Sequence, residues 1–124
     1  MRSVFSAVAA LVALVLLPLA GPAWAHHGWS WTTGRNIDLT GIVKTVALGN
    51  PHGVLTVDVE GEVWTVGVGQ PWRNSRAGLK DGDLRAGVEL RVIGEPSENL
   101  ADRLVKGERL FLNGREYVLY PDRD

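Results

Sequence analysis

The sequence predicts an all-β fold: one small barrel of five main strands, with a single short helix between the third and the fourth. Three observations predict it. Apolar and polar residues alternate over short runs rich in valine, leucine and isoleucine, as half-buried strands require. The pairs Glu60-Gly61 and Asn113-Gly114 separate such runs at hairpin spacing. One stretch, from Pro71 to Leu79, lacks a period of two and opens on a proline suited to a first helical turn.

Trp29 to Thr33 alternates aromatic and hydroxyl side chains and reads as a short strand, with Gly34-Arg35-Asn36 as the turn after it. Residues 37–46 read as the first long strand, in which Gly41 marks a bulge or a sharp coil. The loop Ala47 to Gly53 carries Asn50-Pro51-His52. Val54 to Val59 and Glu62 to Val68 form a hairpin whose residues Leu55, Val57, Val59 and Trp64, Val66, Val68 keep consistent faces. A short helix starts at Pro71 and ends at Gly78. Val88 to Ile93 is the next strand, with Val88, Leu90 and Val92 on one face. Arg103 to Val105 begins a fifth strand that Arg109 to Leu112 continues, and Glu116 to Tyr120 returns from the Asn113-Gly114 turn. Leu55, Val57, Val66, Leu90 and Val92 are the expected core. This order is that of an OB-fold, a partly open Greek-key barrel. A β-sandwich, or a barrel of six or seven strands, is the alternative arrangement of the same runs.

Residues 1–25 read differently. They hold one charge, Arg2, then an apolar run from Val4 to Leu17, then Pro18, Gly21 and Pro22, and end on Ala23-Trp24-Ala25. A basic start, a short apolar centre and small residues at the last and third-last positions describe a cleavable secretory signal peptide. The apolar run is shorter than the roughly 20 residues that span a bilayer, and Pro18 closes it. The expected organisation is a signal peptide over 1–25, an N-terminal tail over 26–36 that can add a strand, and the barrel over 37–124. The expected location is the bacterial periplasm or the cell exterior, with no membrane anchor after cleavage. Without Arg2, the chain's 13 basic side chains become 12 against 14 acidic ones, which excludes an electrostatic footprint for nucleic acid. The chain has no cysteine, so disulfides, thiolate metal sites and cysteine lipidation are excluded too.

Chemistry concentrates in the three histidines: His26 and His27 at the expected new terminus, and His52 in the loop after the first long strand. Cleavage after Ala25 gives His26 both an α-amine and an imidazole within reach of one ion. Cleavage after Ala23 instead makes His26 the third residue, an arrangement that binds Cu(II) or Ni(II) through backbone nitrogens. All-nitrogen sets of this kind suit Cu(II), Zn(II) or Ni(II), with copper favoured by the affinity order. If Gly34-Arg35-Asn36 turns the tail back along the first strand, His27 lies opposite about Val43, and the His52 loop begins a few residues further on, at about 3.3 Å per residue. The bland alternatives are a mobile terminus and a turn histidine. Trp29, Trp31 and Trp72 form a second candidate, an aromatic ligand face on the barrel, although tryptophans in so small a domain also serve as core. No nucleophile motif, paired carboxylates or phosphate loop stands out, so an enzyme is the less favoured reading.

At Ala25-His26-His27, Thr40-Gly41-Ile42-Val43, Asn50-Pro51-His52 and Val88 to Gly94 the chain resembles a family of uncharacterised small exported bacterial proteins, a domain of unknown function. That family has an Ala-His-His start after the signal, a Thr-Gly-x-Val strand, an Asn-Pro-His turn and a late Gly-x-x-Val-x-Val-x-Gly strand. Where its members often carry serine and then an aromatic after the two histidines, this chain has Gly28 and Trp29. The resemblance implies an exported compartment and a barrel, and brings no activity.

The first functional reading is a non-enzymatic exported metal-binding protein, copper favoured, ligated by His26, His27 and His52, with a periplasmic protein as donor or acceptor of the ion. The second is a metal-free OB-type binding or assembly module that uses the tryptophans and the barrel face. A histidine-brace copper oxidase is the third, and lacks an evident substrate platform.

Overall fold

A computed structural model describes residues 28–123. The expected signal peptide, His26 and His27 lie outside the described residues. Six strands follow one another: β1 (Ile37–Ala47), β2 (Val54–Val59), β3 (Glu62–Gly67), β4 (Glu89–Pro96), β5 (Leu104–Leu112) and β6 (Arg115–Val118). A helix, α1 (Pro71–Arg76), stands between β3 and β4, and a 3₁₀ turn spans Leu100–Asp102.

The sheet order is β3-β2-β1-β4-β5-β6, and a parallel pairing of β3 with β5 closes the first five strands into a barrel. This is the OB arrangement that the strand order predicts. The first strand serves both halves of the barrel. Ile37 to Ile42 pairs with β4, and Ile42 to Ala47 pairs with β2. Gly41 sits at the handover, where a Cβ would collide with the carbonyl oxygen of Asp58. Only glycine lets the two strands cross so closely. The bulge itself comes slightly later, between Val43 and Thr45. Both two-residue hairpins turn through left-handed backbone, with φ of 53° and 85° at Glu60-Gly61 and of 51° and 77° at Asn113-Gly114.

The expected core is the core. Leu55, Val66 and Leu90 have no exposed surface, and Val57 and Val92 have 1%. Val43, Val105, Leu110 and Leu119 join them. Trp64 packs half-buried against this cluster. Beyond the helix, Leu79 and Leu84 reach the same core. Asn74 fastens α1 to the end of β3: its Oδ1 accepts from the Gly69 amide at 2.9 Å and its Nδ2 donates to the Gly69 carbonyl at 3.0 Å.

The tail differs from the expected strand. Trp29 to Thr33 forms a turn, closed by the Thr32 amide on the Trp29 carbonyl at 3.1 Å, and only Thr32 makes a β-bridge, to Ser97. The reason is that the end of β4 takes up the tail's backbone: the Thr33 amide donates to the Pro96 carbonyl at 3.0 Å and the Glu98 amide to the Trp31 carbonyl at 3.1 Å. The tail instead crosses the far end of β4.

Candidate functional site

The loop between β1 and β2 holds His52 in a defined posture. The Gly53 amide donates to the Gly69 carbonyl at 3.0 Å, and the Val68 amide donates to the Gly53 carbonyl at 2.9 Å, so the loop is tied to the chain leaving β3. The Asn50-Pro51 peptide is cis. The His52 ring lies beside Gly67, at whose position a Cβ would sit 3.8 Å from Cε1. His52 Nδ1 is 3.0 Å from the Gly53 carbonyl oxygen. A carbonyl only accepts, so Nδ1 is the donor, and in the neutral ring the lone pair is then on Nε2. A backbone carbonyl on one ring nitrogen is the usual support for a histidine that ligates through the other.

His52 lines a pocket of about 240 Å³ whose walls include Trp31, Pro51, Val54, Thr65 and Lys106. The parallel seam of the barrel places these residues together, since Gly67 on β3 is directly opposite Lys106 on β5. Lys106 connects the pocket to the tail. Its Nζ donates to the Gly28 carbonyl at 2.9 Å and lies 4.3 Å from the centre of the Trp29 ring. Burial, then the nearby charges of Arg123 and Arg73, push the Lys106 ammonium below its ordinary pKa, against a smaller opposing pull from Glu95.

A second group of residues anchors the tail. The Trp29 ring takes Arg123 at 3.8 Å as well as Lys106, and meets Tyr120 edge-on at 5.0 Å. Thr32 Oγ1 bonds to Glu95 Oε2, and Arg123 Nη2 donates to Glu95 Oε1 at 2.9 Å. Asn36 Nδ2 donates to Glu108 Oε2 at 2.8 Å, while Glu108 Oε1 faces Arg123 Nε at 3.5 Å. Glu108 has no exposed surface. It points inward because it is the extra residue of a bulge: Ile93 pairs with Arg109 and Gly94 with Gly107, which leaves Glu108 without an opposite number. Bulges commonly re-aim a side chain in this way. Burial raises the Glu95 pKa, but the hydrogen bonds from Thr32 and Arg123 and the charge of Arg123 outweigh it, and the carboxyl is held below its usual range.

Of the residues singled out in the sequence, His52 and Trp31 share the pocket. Trp29 stands beside it, with its ring engaged by Lys106, Arg123 and Tyr120. Trp72 is elsewhere, exposed on α1. Among the described residues no three histidine, aspartate or glutamate side chains gather as metal ligands. The sequence reading missed Lys106, Glu95, Glu108 and Arg123. No local signal marked Glu108, which sits between Gly107 and Arg109 in a strand that also carries Lys106.

No curated protein matches the sequence. Among solved structures, the apo form of the tRNA agmatidine synthetase TiaS is similar at 18% identity with a TM-score of 0.48, over 63% of this chain and 18% of that one. A variant of TiaS lacking its ZRD, in complex with agmatine, is similar at 16% identity with a TM-score of 0.49, over 68% of this chain and 26% of that one. This chain therefore spans about a quarter or less of the length of these structures. The model of a family of unknown function, DUF6152, matches residues 13–104, which takes in the first four strands and the first residue of β5. The Ala-His-His junction, the Thr-Gly strand and the Asn-Pro-His turn all fall within that match, and the chain belongs to this family of unknown function.

Proposed function

We propose that this small barrel is exported, that it is cut after Ala25, and that it binds one transition-metal ion, copper favoured, without catalysing a reaction. His26 supplies its amine and imidazole, and His27 or His52 supplies further nitrogens. The observation that carries this reading is the posture of His52: its Nδ1 proton is engaged by the Gly53 carbonyl, and its Nε2 lone pair is left for a ligand role. A second observation supports it. Lys106 lines the His52 pocket and holds the carbonyl of Gly28, the residue directly after His27. The tail thus reaches the His52 side of the barrel across β4 and β5, not along β1. Sequestration of the ion or its handover to a periplasmic protein are the roles this chemistry serves.

The test is copper titration of protein beginning at His26, followed by optical and paramagnetic spectra. One Cu(II) with nitrogen ligation, bound more tightly than Zn(II), is expected from the affinity order. One residue added before His26 removes its terminal amine and weakens binding sharply. His52→Ala changes the copper spectrum if the barrel contributes a ligand. An unchanged spectrum confines the site to the terminus.

The pocket also favours a second reading, a metal-free binding module. Its walls of Trp31, Pro51, Val54 and Leu104 are mainly apolar, and it adjoins the β2–β3 face and the first loop, where OB barrels bind ligands. Failure of copper binding above that of an unrelated domain selects this reading.

A further inference from the structure

We propose that the cleft between α1 and the C-terminal segment binds a planar aromatic carboxylate, which stacks on Trp72 and pairs with Arg76. The cleft has a volume of about 420 Å³ and is walled by Trp72, Arg73 and Arg76 on one side and by Leu119 and Asp122 on the other. It shares no lining residue with the His52 pocket. Trp72 is 54% exposed, and no other aromatic residue among the described ones is exposed.

Its indole nevertheless rests on a fixed base. The Arg73 guanidinium lies 4.6 Å from the Trp72 ring centre and 4.2 Å from that of Tyr120. Arg73 Nη1 donates to the Leu119 carbonyl at 3.1 Å, and its Nε donates to Gln70 Oε1 at 3.2 Å. A cation against one face draws the ring's electron density toward itself. The outer face is then poorly suited to a second cation and well suited to an electron-rich ring in offset stacking. Arg76 stands four residues along the same helix, next to Trp72. Its side chain makes no hydrogen bond or ion pair among the described residues. Its planar fork matches a carboxylate. Asp122 is the one acidic residue in the lining, so two guanidiniums outnumber one carboxylate and an anion is favoured. A neutral ring leaves Arg76 unused, and an aliphatic acid leaves the indole unused. An aromatic acid engages both.

Calorimetric titration of the full protein, without metal, with benzoate tests the proposal. Benzamide, which lacks the charge, and cyclohexanecarboxylate, which lacks the aromatic ring, should each bind at least about tenfold more weakly. Trp72→Leu and Arg76→Gln should each weaken benzoate at least about tenfold while leaving thermal unfolding unchanged, since both side chains face water. Asp122→Asn should tighten it severalfold. Benzoate affinity that survives both substitutions overturns the proposal, as does equal affinity for cyclohexanecarboxylate. Galacturonate binding more tightly than benzoate through Trp72 makes the cleft a saccharide surface and also overturns it. So does the absence of saturable binding.

Discussion

The barrel and the tail that crosses it are held by different physics. In the barrel, fourteen buried apolar residues form one cluster, and each strand is hydrogen-bonded on both edges or closed by the seam. Removing one side chain there removes contacts from many neighbours. The tail from Gly28 to Asn36 has Thr32 as its single buried residue and is fastened at a few points: Trp29 on its cations, Thr32 on Glu95, Asn36 on Glu108. The barrel's packing is made among its own strands, whereas the tail is held by side chains of the barrel far from it in sequence. The position of Gly28, held by Lys106, depends on the weaker of the two.

The largest expected effect falls on the barrel. Leu55→Ala or Leu90→Ala should lower unfolding free energy by about 3–4 kcal/mol, because both side chains are wholly enclosed. Urea unfolding measures it, and wild-type stability in either variant would reverse the assigned faces. Glu95→Gln comes next, at about 2 kcal/mol at neutral pH. That is below the figure for a fully buried pair because Arg123 still meets water. Its sign with pH follows from the lowered pKa of Glu95. The carboxylate stabilises the fold fully above the ordinary range near 4, and that stabilisation disappears as pH falls through the depressed value. Acid unfolding of Glu95→Gln should accordingly be shallower than that of wild type, and identical slopes would remove Glu95 from the account.

Trp29→Ala should separate the two regions most sharply. Global stability should fall by about 1 kcal/mol, the scale of cation–π contacts partly open to solvent. Amide exchange over residues 30–36 should nevertheless accelerate strongly, and copper affinity should drop if His52 is a ligand. A tail that keeps its protection without Trp29 would mean that Thr32 and Asn36 suffice to hold it. Lys106→Met should have the smallest effect on unfolding, within about 0.5 kcal/mol, because losing the Gly28 contact is offset by relief from Arg123 and Arg73. Its consequence should appear only in the tail.

The same division governs what the sequence could disclose. The faces of Leu55, Val66 and Leu90 were legible because a strand repeats every two residues, and the local pattern already records which side is dry. Asn113-Gly114 and Pro71 were legible for an equally local reason, since backbone geometry is written in one or two residues. The lock on the tail was not, because Thr32 and Glu95 are 63 positions apart and Asn36 and Glu108 are 72 apart. No periodicity connects them. Glu108 faces the interior only because of a bulge whose register depends on a partner strand. The strand expected at Trp29 to Thr33 failed for a related reason: its alternation was genuine, but nothing in its own residues shows that Pro96 and Glu98, far along the chain, take up its backbone hydrogen bonds.

The parallel seam has a consequence for how the molecule is made. Thr65 and Leu104 meet across roughly 40 residues of intervening chain, and the entropy of closing that loop must be met before the seam's first hydrogen bond forms. A chain still emerging from the ribosome has β3 complete and β5 absent. Until Leu104 to Lys106 arrives, β3 presents a naked edge bearing Thr65 and Val66, a template on which another unfinished chain can add a strand. Slow emergence of the last twenty or so residues should thus favour aggregation, and a chaperone that covers this edge should raise the yield of folded protein.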